Sequence, residues 1–160
     1  MRVVVAGTFG PIHDGHRRLL STALECGDEG VAVGLASDAF ARGKRDRPVP
    51  DFDQRRDRLV EVLTALDEWD REVTIREIDD EFDFAATDPA LDAVVVSTES
   101  DDDLAALNQR RRENGLDPLV GVVVPVVRGA DGERISSTRV VAGDVDEHGR
   151  PPGGRDTPDG

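Results

Sequence analysis

Two of the chain's three histidines, His13 and His16, fall within the ten residues Gly7-Thr8-Phe9-Gly10-Pro11-Ile12-His13-Asp14-Gly15-His16. Three positions apart on a helical turn, the two imidazoles would share a face and point at one anion. The segment follows a strand-like apolar run, Arg2 to Ala6, and leads into a helix-like stretch. A buried strand that opens through glycines onto a helix start presents free backbone N–H groups and a positive dipole end, and both suit a phosphate. The arrangement points to a nucleotide-binding site near the start of the chain. Two other readings compete: a helix-start histidine that only packs, and a zinc site. The second needs a third ligand that no Cys or carboxylate is placed by sequence to supply.

Two further signals bear on phosphate chemistry. In Ile135-Ser136-Ser137-Thr138-Arg139 a serine at a helix start is followed by hydroxyls and a guanidinium, a set that serves either as a helix cap or as an anion cradle. Lys44 lies between Arg42 and Arg45 in a polar loop. Such a cluster is usually a solvated charge run. Against that stands the composition, with 19 Arg and one Lys, so the single lysine is kept beside the expected site. Lysine is a compact, mobile point charge where arginine is a flat fork, and a migrating phosphoryl group can favour the former.

The elements that must position these residues follow from hydropathy. Val3 to Ala6 reads as a buried strand, Val31 to Ala36 as a second, Val73 to Ile78 as a third, Ala93 to Val96 as a fourth and Leu119 to Val127 as a fifth. Helical spacing marks Gly15 to Leu24, with Leu19, Leu20, Ala23 and Leu24 inward, and Gln54 to Leu66, with Leu59, Val62, Leu63 and Leu66 inward. A third helix is expected from Asp102 to Asn114, ending at Gly115, and a short one from Ser136 to Val141. Ser37 to Asp53 reads as a polar loop and Asp79 to Pro89 as an acidic connection. Alternation of strand and helix predicts an α/β fold, a single Rossmann-like domain with a five-stranded parallel sheet and helices on both faces. Ligands of such sheets bind beyond the carboxyl ends of the strands, which places the Gly7, Ser37 and Ser97 loops on one edge. The domain is expected over 1–145, with a disordered tail rich in acidic residues, Pro and Gly over 146–160.

Length and composition bound the function. The 160 residues suit one core rather than two, and a formal net charge of -14 argues against a general nucleic-acid partner. With no apolar run long enough to span a bilayer and no signal-peptide pattern, a cytoplasmic protein without a membrane partner is expected. Cys26 is the only cysteine, too few for a disulfide or a thiolate zinc site. Asp outnumbers Glu by 23 to 11, and with lysine nearly absent the surface resembles those of proteins from salt-loving archaea, where high ionic strength screens self-repulsion. The oligomeric state is left open, a homo-oligomer included.

The turn motif Gly7-Thr8-Phe9 with His13-Asp14-Gly15-His16, together with Ile135 to Arg139, resembles the nucleotidyltransferase superfamily of adenylyltransferases and class I aminoacyl-tRNA synthetases. With Gly34-Leu35-Ala36-Ser37-Asp38 and Asp92 to Glu99, the chain is similar to the archaeal phosphopantetheine adenylyltransferases over about residues 2 to 145. The resemblance implies transfer of AMP from ATP to 4′-phosphopantetheine, giving dephospho-coenzyme A and pyrophosphate, with Mg²⁺ accompanying ATP. It implies His16 and Lys44 as catalytic residues. It further implies Thr8 and Lys44 at the acceptor, and Gly7, Phe9, His13, Gly15, His16, Ser97, Glu99, Ser136, Ser137, Thr138 and Arg139 at ATP. Nicotinamide-mononucleotide adenylyltransferases share the histidine motif but usually read Gly-Arg-Phe and Ile-Ser-Gly-Thr, so Thr8 and Ser137 favour the pantetheine branch. The Arg-Thr-Glu-Gly-Ile-Ser-Thr-Thr of cytidylyltransferases is absent. A non-catalytic nucleotide sensor on the same fold is the alternative from another class. One position departs from the pattern: Gly10 stands where the family usually has Asp, which permits the turn but removes a carboxylate.

Overall fold

A computed structural model describes residues 1–43, 49–98, 101–128, 130, 140 and 148. Five strands, β1 (Arg2–Gly7), β2 (Gly30–Ala36), β3 (Val73–Ile78), β4 (Ala93–Ser97) and β5 (Val120–Val124), form one parallel sheet in the order β3-β2-β1-β4-β5. Four helices accompany them: α1 (Asp14–Cys26), α2 (Asp38–Gly43), α3 (Phe52–Leu66) and α4 (Asp101–Glu113), with a 3-10 turn over Asp83–Ala86. Chain order reverses at β1, so the switch point between β1 and β4 is where a ligand is expected.

Side-chain alternation along β1 divides the core. Val3 and Val5 join Leu20, Ala23 and Leu24 of α1 and Leu59, Val62 and Leu63 of α3 on one face. Val4 joins Ala41 of α2, Phe84 of the 3-10 turn and Leu107 of α4 on the other. A period of two in a strand sends neighbours to opposite faces, and helices cover both, as the continuous apolar strands imply. The α/β class, the parallel five-stranded sheet and the helices on both faces are all as the sequence predicts.

The boundaries differ in informative ways. Ser37 to Asp53 is not wholly loop, because Ser37 accepts from the Phe40 amide at 3.2 Å through Oγ and starts the short helix α2. α3 starts before Gln54, at Phe52, since Asp51 and Gln54 form a capping box: Asp51 Oδ1 accepts from Gln54 N at 2.9 Å and Gln54 Oε1 from Asp51 N at 3.3 Å. Asp51→Ala should cost about 1 kcal/mol of stability, read as a lower denaturant midpoint with an unchanged slope. β5 is shorter than expected, Val120–Val124.

The seam at the centre of the sheet is short. β1 and β2 run in register from Arg2↔Gly30 to Gly7↔Leu35, whereas β1 and β4 share only Val3↔Ala93 and Val4↔Val94. Below the seam Asp92 braces it, its Oδ2 accepting from Arg2 N at 2.7 Å and its own N–H donating to Arg2 O at 2.8 Å. Above Val4 the register pairs cease, and a cleft opens at the carboxyl end.

Candidate active site

The turn from β1 to α1 is held by its own side chains. Phe9 adopts φ 51°, a left-handed conformation unusual for a bulky residue, and its ring is 2% exposed within the core. Burial of the ring therefore fixes a backbone that local preference would not choose. That ring lies 5.0 Å from the His16 ring, tilted by 55°.

His13 and His16 are brought together, and their roles are finer than their spacing indicates. His13 is the N-cap of α1, its Nδ1 accepting from Gly15 N at 3.0 Å, while His16 Nδ1 accepts from His13 N at 3.2 Å. The two imidazoles stack with centroids 3.9 Å apart. This is a capping box built from histidines in place of the usual hydroxyl and carboxamide. An Nδ1 that accepts a backbone N–H keeps its lone pair, so a neutral ring in this arrangement carries its proton on Nε2. The pair thus satisfies the helix start, the end at which the dipole favours an anion. Gly15 permits this, since a Cβ there would lie 2.7 Å from His13 Cε1.

A cavity of about 240 Å³ fills the cleft between β1 and β4. Gly7, Thr8 and Ser97 line it at the strand ends, Phe40, Ile78 and Phe82 give apolar walls, and Glu81 and Asp103 add carboxylates. Thr8, in its lining, directly precedes Phe9, whose ring lies against His16. The structure therefore gathers Gly7, Thr8 and Ser97 at the cavity and Phe9, His13, Gly15 and His16 at the head of α1. Lys44, Glu99, Ser136, Ser137, Thr138 and Arg139 lie outside the described residues, as do 146–160 apart from His148, whose Nδ1 is 2.9 Å from Asp14 Oδ1.

One residue at this edge escapes sequence reasoning. Arg55, on the first turn of α3, is 1% exposed and bonds to the carbonyls of Thr8 and Ala36 and to the Asp38 carboxylate. Its place in the run Gln54-Arg55-Arg56-Asp57-Arg58 reads as solvated charge. A second buried arginine, Arg111 on α4, serves another part of the fold by donating to the carbonyls of Ala85, Asp88 and Asp117. Burial pushes its guanidinium below the ordinary arginine value, with the Asp88 and Asp117 carboxylates acting against that.

A parallel sheet with its switch point at β1, and a glycine turn feeding a histidine-capped helix, define a nucleotidyltransferase site. The family model described as cytidylyltransferase-like matches residues 4–143, and the chain belongs to that family. Within it, the chain is similar to the phosphopantetheine adenylyltransferase of Methanopyrus kandleri, 40% identical over 146 residues that cover 91% of each protein. It is 34% identical to that of Methanosarcina acetivorans over 150 residues, 93% of this chain and 94% of the relative. Among solved structures, a protein of unknown function from Archaeoglobus fulgidus matches with a TM-score of 0.69 at 29% identity, covering 78% of this chain and 89% of that one. The family resemblance carried by the turn and Ser136 to Arg139 motifs is borne out. Among the described residues no helix is long and apolar enough to cross a membrane.

Proposed function

We propose that the protein transfers the adenylyl group of ATP to 4′-phosphopantetheine, forming dephospho-coenzyme A and pyrophosphate. The observation that carries this is 40% identity, spread over 91% of both chains, to an enzyme of that name. A phosphate oxygen of the acceptor attacks the α-phosphorus in line, a new P–O bond forms, and the bond to the pyrophosphate oxygen breaks. No protein nucleophile is required, so positioning and neutralisation of developing charge are the protein's tasks.

In this reading His16 donates from Nε2–H to the α-phosphate oxygens as they gain charge. His13, Gly7, Phe9 and Gly15 shape the ATP side, with the backbone of the turn approaching the phosphates. Ser136, Ser137, Thr138 and Arg139 hold the β- and γ-phosphates. Thr8 and Lys44 orient the acceptor phosphate, and Ser97 and Glu99 lie toward the adenosine. The apolar walls at Phe40, Ile78 and Phe82 suit the largely uncharged pantetheine arm. Mg²⁺ enters with ATP, carried mainly by phosphate oxygens and water. When bound it offsets phosphate charge.

Pyrophosphate release should require phosphopantetheine and be absent with nicotinamide mononucleotide or without acceptor, measured in high potassium chloride so that the net charge of -14 is screened. Release with nicotinamide mononucleotide alone would overturn the assignment; binding of ATP without release would favour a sensor. Lys44→Arg should lower kcat at least about tenfold, because charge is preserved and shape is not. Full activity in that variant would make the single lysine an accident of composition.

A further inference from the structure

We propose that Arg55 is a positioning residue for this reaction, setting the distance between the β1 and β2 loops, and that Gly10 is the feature of the first loop that admits it. The inference rests on the adenylyl-transfer reading above. Arg55 is 1% exposed, so its charge must be met inside the protein. Nη1 donates to Thr8 O at 3.0 Å and to Ala36 O at 2.8 Å, Nη2 to Asp38 Oδ1 at 3.1 Å, and Nε to Pro50 O at 2.8 Å.

These acceptors come from the carboxyl-terminal edge of the sheet and the segments that leave it, with Pro50 just ahead of α3. Thr8 begins the turn after β1, Ala36 ends β2, and Asp38 opens α2, whose last residue, Gly43, directly precedes Lys44. A single planar fork therefore ties the turn that carries Thr8, assigned to the acceptor phosphate, to the end of β2 and the start of α2. Lysine cannot reproduce four bonds in one plane. The arginine is itself anchored, because α3 starts from the Asp51 capping box four residues earlier.

Gly10 completes the arrangement. A Cβ at that position would stand 2.7 Å from Arg55 Cδ and 3.2 Å from Cγ. A side chain bonded at its head to four partners cannot swing its stem aside without giving some of them up. The departure from Asp at this position is thus matched to the path of Arg55, and Asp38 is the carboxylate that meets the guanidinium.

The test compares wild type with Arg55→Lys, Arg55→Ala, Gly10→Ala, the Arg55→Ala/Gly10→Ala double variant and Arg111→Ala, with folding checked by circular dichroism. For the Arg55 variants kcat should fall at least about tenfold and the phosphopantetheine KM rise at least about fivefold, with the ATP KM within about twofold. Arg55→Lys should recover only part of the loss. Gly10→Ala should shift the same parameters, and in the Arg55→Ala background it should add nothing, since the atoms it strikes are gone. If Arg55→Ala does not fold, Arg55→Lys and Gly10→Ala carry the comparison. A kinetic loss no greater than that of Arg111→Ala, or one shared equally by both substrates, overturns the positioning role while leaving the reaction intact. A wild-type protein that transfers no adenylyl group overturns the functional reading and this inference with it.

Discussion

Replacing His16 with alanine should lower kcat by about two to four orders of magnitude while the KM for ATP changes by less than about threefold. The expectation comes from where its ring is held. His16 Nδ1 is occupied by the His13 amide at 3.2 Å, and the ring is packed against His13 at 3.9 Å and Phe9 at 5.0 Å. With Nδ1 occupied and the ring packed, the proposed Nε2–H donor needs little reorganisation, and such a donor acts mainly on charge that develops in the transition state. Ground-state ATP, already held by other donors, loses little. The same change removes one half of the capping box, worth about 1 kcal/mol or less, so the folded fraction should remain high enough for kinetics. Single-turnover measurements at saturating ATP separate the two effects, and near-normal turnover would remove His16 from the mechanism.

Gly15→Ala is expected to reduce kcat/KM for ATP about a hundredfold, although it alters no group assigned to chemistry. In an unencumbered helix the change would stabilise by up to about 1 kcal/mol, and the backbone here is helical, so alanine is conformationally acceptable. The obstacle is the new methyl, 2.7 Å from His13 Cε1 and 2.9 Å from Nδ1. To relieve it the ring must leave the Gly15 amide, which forfeits a cap worth about 0.5–2 kcal/mol, and the stack with His16 moves with it. Lower thermal stability together with lower kcat/KM is the predicted outcome. A variant that is more stable and fully active would show that the His13 ring is free to relocate without consequence.

Much of the architecture was legible because it rests on repetition. Val3 to Val5 and Ala93 to Val96 are apolar at every position, as strands covered on both faces must be, and Leu59, Val62 and Leu63 recur at helical spacing and are buried. What repetition does not encode was not legible. α2 has six residues and one buried side chain, Ala41, so no period could form. The histidine pair was visible as a pair, yet the use of both Nδ1 atoms to cap the helix depends on backbone geometry that spacing does not convey. Arg55 was hidden for a different reason. Charge next to charge on a helix looks solvated until the fold shows which member of the run turns inward.

The short seam between β1 and β4 has a consequence for how such a site can change over time. Its opening comes from two strands that part company after Val4 and Val94, a property of the main chain rather than of any side chain around it. Residues at the rim can therefore be exchanged without dismantling the hollow they border. Selectivity for an acceptor becomes a matter of upholstery, while the room itself is inherited.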